Sequence, residues 1–211
     1  MSKTATQNSI TLKGSAAIIK EYLNFGVNSI LFQRGIYPAE TFSPVQQYGL
    51  TILMSKDEKI KEFLKNVLGK AEEWLSQNKV EKFSLIVSNV HSKEVLECWD
   101  FKVDAEPSDQ NENPNQADPT TKTSSKELKK IQGEIGAVMR QIAATVSYLP
   151  LLECVCSFDL LIHCEKELEI PTNWNETDSI SIKNSQVVNL KSFSTGLHKV
   201  ETVVSYKMSE D

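Results

Sequence analysis

Residues Leu128 to Cys164 constrain the fold of this chain more than any other stretch. Leu128, Ile131, Ile135, Val138, Ile142, Val146 and Leu149 recur at alternating spacings of three and four, the mark of an amphipathic helix with one apolar stripe. Pro150 ends that helix, because it has no N–H to donate and its ring clashes with the preceding turn. The period then changes to two. Leu152, Cys154, Cys156, Phe158, Leu160, Ile162 and Cys164 share one face, while Glu153, Val155, Ser157, Asp159, Leu161 and His163 share the other. This predicts a strand with one face on a core. Strand-like sequence continues behind it, at Val187–Phe193 and His198–Met208, with Thr195-Gly196 near their turn. A long helix, a half-buried strand and a β-rich tail imply an α+β domain.

The remaining elements fit one domain of 211 residues. Ser15 is a candidate cap for a helix that runs to about Arg34, with Gly35 placed to stop it and Pro38 to prevent continuation. Leu50–Met54 reads as a short strand. Ile60, Leu64, Val67, Ala71 and Trp74 mark a second helix, capped by Ser55 or Asp57. Phe83–Val90 and Glu94–Val103 read as a hairpin in which Glu97 interrupts an otherwise apolar face. Residues 104–126 hold three prolines and no large aliphatic or aromatic side chain after Val103, which predicts a flexible loop. Ser124 and Glu127 then form a capping-box pattern for the third helix. The opposite side of that helix carries Gly133, Gly136, Ala137, Ala143 and Ala144 around Arg140, so it too is expected to be partly covered.

Composition narrows the function. The net charge of -5 comes without a long basic run, which disfavours nucleic acid as the main partner. No apolar run is long enough to span a bilayer, and the N-terminal residues lack the apolar core of a secretory signal. Cys98, Cys154, Cys156 and Cys164 read as reduced thiols of a cytosolic or nuclear protein, and the sequon at Asn175 then meets no glycosylating enzyme. There is no phosphate-binding glycine loop, no nucleophile elbow and no zincin helix. Cys154, Cys156, His163 and Cys164 are the one set with metal-ligand chemistry. A single strand cannot wrap them around one ion, since His163 points away from the three thiols, so small core residues are the expectation. No catalytic residue, metal or cofactor is expected. Trp174 reads as the anchor of a loop, Glu165–Glu169 as a solvated turn, and Arg140 is open between a solvated charge and an interaction site.

Several strings are more specific. NFGVNSILFQRGIYP at Asn24–Pro38, FSPVQQYGL at Phe42–Leu50, RQIAATVSYLPLLECVCSFDLLI at Arg140–Ile162, KSFSTGLHKV at Lys191–Val200 and VVSYK at Val203–Lys207 resemble the spindle-assembly checkpoint branch of the HORMA-domain family over nearly the whole chain. The resemblance implies three helices packed on a mainly antiparallel sheet, a core of about residues 10–164, and a mobile C-terminal seat belt of about 165–208. It implies two native folds. In the open fold the tail covers the edge strand Val155, Cys156, Ser157, Phe158, Asp159, Leu160, Leu161 and Ile162. In the closed fold the tail crosses the sheet and pins a partner peptide to that edge.

By the same resemblance, Trp174, Lys191, Phe193 and Leu197 belong to the belt, and Arg140, Gln141 and Tyr148 form an interface between open and closed protomers. Tyr148 stands where the family commonly has Phe, and Lys191 where Arg is usual. The implied partners are a coiled-coil checkpoint scaffold at kinetochores, the mitotic activator of the anaphase-promoting complex, and a HORMA adaptor with an AAA-ATPase remodeller. Neither nucleic acid nor membrane is expected, and the implied locations are nucleus, kinetochore and cytoplasm. Other readings left open are a HORMA adaptor of a translesion polymerase, a zinc-dependent enzyme and a nucleic-acid module.

Overall fold

Alternating apolar residues along three long strands and the two strands of a returning tail build one antiparallel sheet. The computed structural model describes residues 9–107, 122–164, 168, 170–172, 174–178 and 180–208. Strands β4 (Val80–Asn89) and β5 (Val95–Ala105) pair as the expected hairpin. β7 (Cys156–Cys164) pairs with the outer side of β4, and β9 (His198–Lys207) with the outer side of β5. β8 (Ser185–Ser194) closes the order β7-β4-β5-β9-β8. Two small pairs lie outside this sheet. β1 (Ile10–Thr11) meets β6 (Thr123–Ser124), and β2 (Phe42–Gln47) meets β3 (Leu50–Ser55).

Helices α1 (Leu12–Gln33), α2 (Glu58–Leu75) and α3 (Leu128–Ala144) share one core with the sheet. Trp99, Phe83, Phe101 and Leu85 from the strands meet Tyr22, Leu23, Leu68 and Ile142 from the helices, all fully buried or nearly so. Tyr22 sits edge-on to both Phe101 and Phe193, with ring centroids 5.9 and 4.8 Å away. It thereby joins α1 to the fixed hairpin and to the tail. Among the described residues no helix is long and apolar enough to cross a membrane.

Helix ends show where local chemistry decides and where tertiary structure overrides it. Gly35 stops α1 as expected. At φ 63° it donates to the Phe32 carbonyl, Ile36 donates to Leu31, and both orphan carbonyls are answered. Asp57 caps α2 through bonds to the N–H groups of Lys59 and Ile60. Ser15 does not cap α1. Thr11 does, accepting from Gly14 N–H at 3.1 Å, because the β1–β6 pair fixes the chain one turn earlier. Ser15 is buried inside the helix instead.

The capping box before α3 does not form either. Ser124 is held in β6, the helix starts at Leu128, and Glu127 makes no side-chain cap bond. At its other end α3 stops at Ala144 and relaxes into a 3-10 turn over Thr145–Ser147, before Pro150 is reached. The apolar stripe is therefore buried from Ile131 to Ile142 and again at Leu149, while Leu128 and Val146 are about half exposed.

Three further differences have physical causes. β2 was not legible as a strand, because Pro44 lies inside it and its turn to β3 places Tyr48 at φ 52° beside Gly49 at φ 70°. β7 begins at Cys156 rather than Leu152, although the burial alternation does reach back to Leu151. Of the expected 104–126 loop, 104–105 extend β5, 123–124 form β6, and 108–121 lie outside the described residues, as do Glu165–Glu169 except Leu168. The small-residue side of α3 is covered where it most matters. A Cβ on Gly136 would stand 2.9 Å from the Tyr48 carbonyl oxygen, whereas Gly133 faces open space.

Glu97, the interruption in an apolar face, is explained by Arg34. The Arg34 guanidinium donates through Nε to Glu97 at 2.7 Å, both side chains are about 2% exposed, and Trp99 Nε1 donates to the second carboxylate oxygen at 2.9 Å. Arg34 also donates to the Pro150 carbonyl. One buried cation thus fastens the end of α1 to β5 and to the junction ahead of β7. Removing one partner of such a pair strands a charge. Arg34→Met should cost about 3–5 kcal/mol in urea denaturation, and Arg34→Met with Glu97→Gln should recover much of that loss. Equal losses in the single and double variants would show that the two side chains are not coupled.

Candidate functional site

The sheet has two outer strands with different surroundings. β8 is the outer strand built from the tail, and α3 reaches across to it. Gln141 Oε1 accepts from Lys191 N–H, and Glu134 Oε2 accepts from Ser194 N–H at 3.1 Å. A register shift between Asn189 and Ser192 places Lys191 in a bulge, which aims its N–H at Gln141. At the opposite edge, β7 pairs with β4 alone. Among the described residues no strand lies on its outer side. The tail hairpin β8–β9 thus lies on the β5 side of the sheet, away from β7.

Along β7 the side chains alternate as the sequence indicates. Ser157 and Asp159 are exposed, Leu160 is buried, and Cys156, Phe158 and Ile162 are half-buried on the core side. Phe158 stands edge-on to Phe63 and Tyr37, with ring centroids 5.6 and 6.2 Å away. Leu161 faces Ser84 across the β4 ladder, and Val155, just ahead of the strand, is 65% exposed while its carbonyl accepts from Val90 N–H at 2.9 Å. The described residues that follow β7 run beside this strand. Trp174 lies edge-on to Trp74 at 5.8 Å. Leu168, Ile170 and Trp174 face Leu160, Ile162 and Cys164 across a cleft of about 590 Å³, with Glu81 and Glu176 at its rim. The cleft combines apolar walls with a backbone edge, which is what an added strand with alternating side chains requires.

The other belt residues lie on the far side. Phe193 and Leu197 are buried, Phe193 against Tyr22, and Lys191 is exposed. Arg140 is exposed, and so is Tyr148 beyond the 3-10 turn. Gln141 differs from them. It is occupied within the molecule by the Lys191 N–H.

Cys154 and Cys156 come together with sulfurs 3.7 Å apart. The other two members of the sulfur-rich set do not join them. Cys164 is at the far end of β7, roughly 26 Å away along a strand rising about 3.3 Å per residue. His163 lies on the opposite face, bonded to Ser84 Oγ at 2.9 Å, and burial followed by the Lys82 charge pushes its imidazole down.

Residues that hold the tail in place were missed by sequence reasoning. His198 is buried at the start of β9, with Nδ1 2.7 Å from Ser15 Oγ and Nε2 2.9 Å from Asn78 Oδ1. Thr195 Oγ1 is 2.6 Å from Ser15 and accepts from His198 N–H at 2.9 Å. Lys126 Nζ binds both Glu134 and the Ser194 carbonyl at 2.8 Å. Gly196, at φ 84°, passes so close to Ser124 that no Cβ would fit. Positions 15, 78, 126, 195 and 198 share no spacing, so no motif could have linked them.

Burial pushes the His198 imidazole from 6.5 down to about 4. The unfolded chain therefore takes up a proton near pH 6.5 and the folded hairpin only near pH 4. The resulting stability is full above pH 6.5 and is lost as pH falls through this window. Between pH 7 and pH 5 the wild type should lose about 2 kcal/mol more than His198→Asn, read by urea denaturation at each pH. Parallel losses in the two proteins would remove His198 as the source.

The comparisons agree with this geometry. The family profile for the HORMA domain matches residues 15–198. The chain is 46% identical over 206 residues to the mitotic spindle assembly checkpoint protein MAD2A of Homo sapiens, covering 96% of this chain and 95% of that protein. It superposes with a TM-score of 0.80 on a chain in the crystal structure of the mitotic checkpoint complex, at 37% identity, over 92% of this chain and 99% of that one. A C. elegans HTP-2 structure bound to a HIM-3 closure motif shares the fold at a TM-score of 0.70 and 14% identity, over 94% of this chain and 92% of that one. The chain therefore belongs to the HORMA-domain family, in its branch of MAD2 mitotic spindle checkpoint proteins.

Proposed function

We propose that this protein captures an extended partner peptide on the outer edge of β7 and clasps it with the segment that carries Trp174, as one state of a two-fold checkpoint switch. The observation that carries the reading is the strand order. The hairpin β8–β9 occupies the β5 side, so the β7 edge stands open beside an apolar cleft. Val155 to Ile162 supply the backbone partners, and Leu160, Ile162 and Trp174 supply the walls. This is binding by strand addition rather than catalysis. A relative that shares the fold is bound to a closure motif, and a more similar one belongs to the mitotic checkpoint complex, which supports a peptide as the ligand.

In this reading the partners are the kinetochore scaffold and the mitotic activator of the anaphase-promoting complex. Sequestering the activator delays anaphase, and the adaptor with its ATPase reopens the clasp. The open fold places the hairpin on the β7 edge, where it excludes peptide. To move, the hairpin gives up its ladder with β5 and uncovers Phe193, Val200 and Val204. Each costs roughly 1.5–3 kcal/mol to expose, which makes the exchange slow even between states of similar stability.

The clasp is tested by calorimetry with peptides taken from the scaffold and from the activator. Deletion of residues 186–211 should abolish tight binding. Trp174→Ala leaves the sheet intact and should weaken it about tenfold, the worth of part of one apolar side chain. Equal affinity in the full and shortened chains would overturn the seat belt.

The pairing of open with closed protomers is assigned to Arg140, Tyr148 and Gln141. Since Gln141 also holds the β8 bulge, Arg140→Glu is the cleaner probe. It should lower the dimer fraction in sedimentation and leave peptide affinity unchanged. An unchanged dimer fraction would place the interface elsewhere.

A further inference from the structure

We infer that Cys154 and Cys156 form a redox-active dithiol, which closes to an intrachain disulfide when a small-molecule disulfide such as oxidised glutathione is present. Their sulfurs stand 3.7 Å apart on the same side of the chain, and Cys156 Sγ donates to the Cys154 carbonyl at 3.3 Å. A bond of about 2.05 Å needs only a short further approach. Cys154 lines a cleft of about 590 Å³ with Leu96, Pro150, Leu151, Tyr206 and Met208, which gives a reagent access from solvent. The other two thiols are elsewhere. Cys98 is buried, with burial and Asp100 pushing it up to about 12, and Cys164 ends the same strand.

The order of attack follows from the surroundings. Cys154 lines the solvent-accessible cleft and Cys156 does not, so Cys154 is the first nucleophile. Its thiolate attacks one sulfur of glutathione disulfide, forms the mixed disulfide and releases one glutathione thiolate. The Cys156 thiolate then attacks the Cys154 sulfur and expels the second glutathione. Two thiol protons pass through solvent to the two departing thiolates, and two electrons pass from the protein to the oxidant.

The bond would alter the start of the β7 edge. Two residues of extended strand span about 6.6–6.8 Å, the upper limit of the Cα separation a disulfide accepts, so closure contracts the segment. Val155 lies between the two cysteines, and its carbonyl bond from Val90 N–H is the contact that contraction pulls on. The consequence for peptide capture rests on the clasping function proposed above. An edge that loses its first backbone contact should bind peptide about tenfold more weakly, near the worth of one hydrogen bond.

The full chain is equilibrated in glutathione buffers of rising oxidised fraction, quenched with N-ethylmaleimide, and read by intact mass and peptide mapping. Wild type should lose two alkylatable thiols together, mapped to Cys154 and Cys156, and dithiothreitol should restore them. Cys154→Ser should give no intrachain disulfide. Amide exchange at Val90 should speed up in the oxidised wild type and not in the variant. Four thiols that stay alkylatable, or loss that maps to Cys98 or Cys164, would overturn the dithiol. Scaffold-peptide affinity separates the two ideas. A disulfide that forms without weakening peptide binding overturns its effect on capture. Failure of even the reduced protein to bind peptide sinks the clasp and leaves the mass result standing on its own.

Discussion

An open β-sheet presents unpaired N–H and C=O groups along both of its outer strands, and each group needs a partner in protein, peptide or water. In this molecule the outer strands are β7 and β8, and the chain answers them unequally. At β8 the side chains of Gln141 and Glu134 on α3 accept from Lys191 and Ser194 N–H, so a helix fixed in the core blunts the edge made by the tail. Among the described residues β7 receives no such cover, although its core face is anchored by Leu160 and by Phe158 against Phe63. A strand held firmly on one face and bare on its outer edge is suited to accept another strand, because the ordering cost has already been met by folding.

Two kinds of interaction keep the hairpin away from that edge. Phe193, Val200 and Val204 bury apolar surface against Tyr22 and the β5 side of the core, which favours the position without fixing its register. The polar contacts fix it. Ser15, Thr195, Asn78 and His198 satisfy one another only when the hairpin tip sits over the start of α1, and Gly196 fits beside Ser124 only there. A slip of one residue would leave buried hydroxyl and imidazole groups unpaired at about 1–3 kcal/mol each. The apolar contacts thus supply most of the attraction, and the polar ones make the position discrete.

Much of this was legible in the sequence, for reasons that differ by element. The stripe of α3 and the alternation of β7 are periodic signals that no tertiary contact had to complete, and Gly35 carries its stop signal locally. The strand itself was therefore expected from its alternation, with its start set at Leu152 where the structure has Cys156. Ser15 and Ser124 were misread as caps because a serine ahead of a helical pattern looks the same whether it caps or is drawn into a β-bridge. Glu97 could be seen as an anomaly in an apolar face, but its partner Arg34 lies 63 positions away and only the fold brings them together. The tail's position was not legible at all. The strings that become β8 and β9 do not say which outer strand they join, since β5 and β7 would offer the same kind of backbone groups.

The fixed part of the molecule sets the limits of what can move. Arg34 holds the Pro150 carbonyl and the buried Glu97 together, and Val90 N–H holds the Val155 carbonyl, so the entry to β7 is tied to α1, β5 and β4. The outer edge of β7 is therefore held in one register by the frame, and in the proposed switch the hairpin and a peptide would compete for that one preformed set of hydrogen-bonding groups. A shared edge would make that competition mutually exclusive without any signal transmitted through the core. It would also concentrate sensitivity at the two ends of β7, where Val155 precedes the strand and Trp174 lines the cleft beside it. Changes elsewhere in the frame alter stability, whereas changes at those ends alter what the edge can hold.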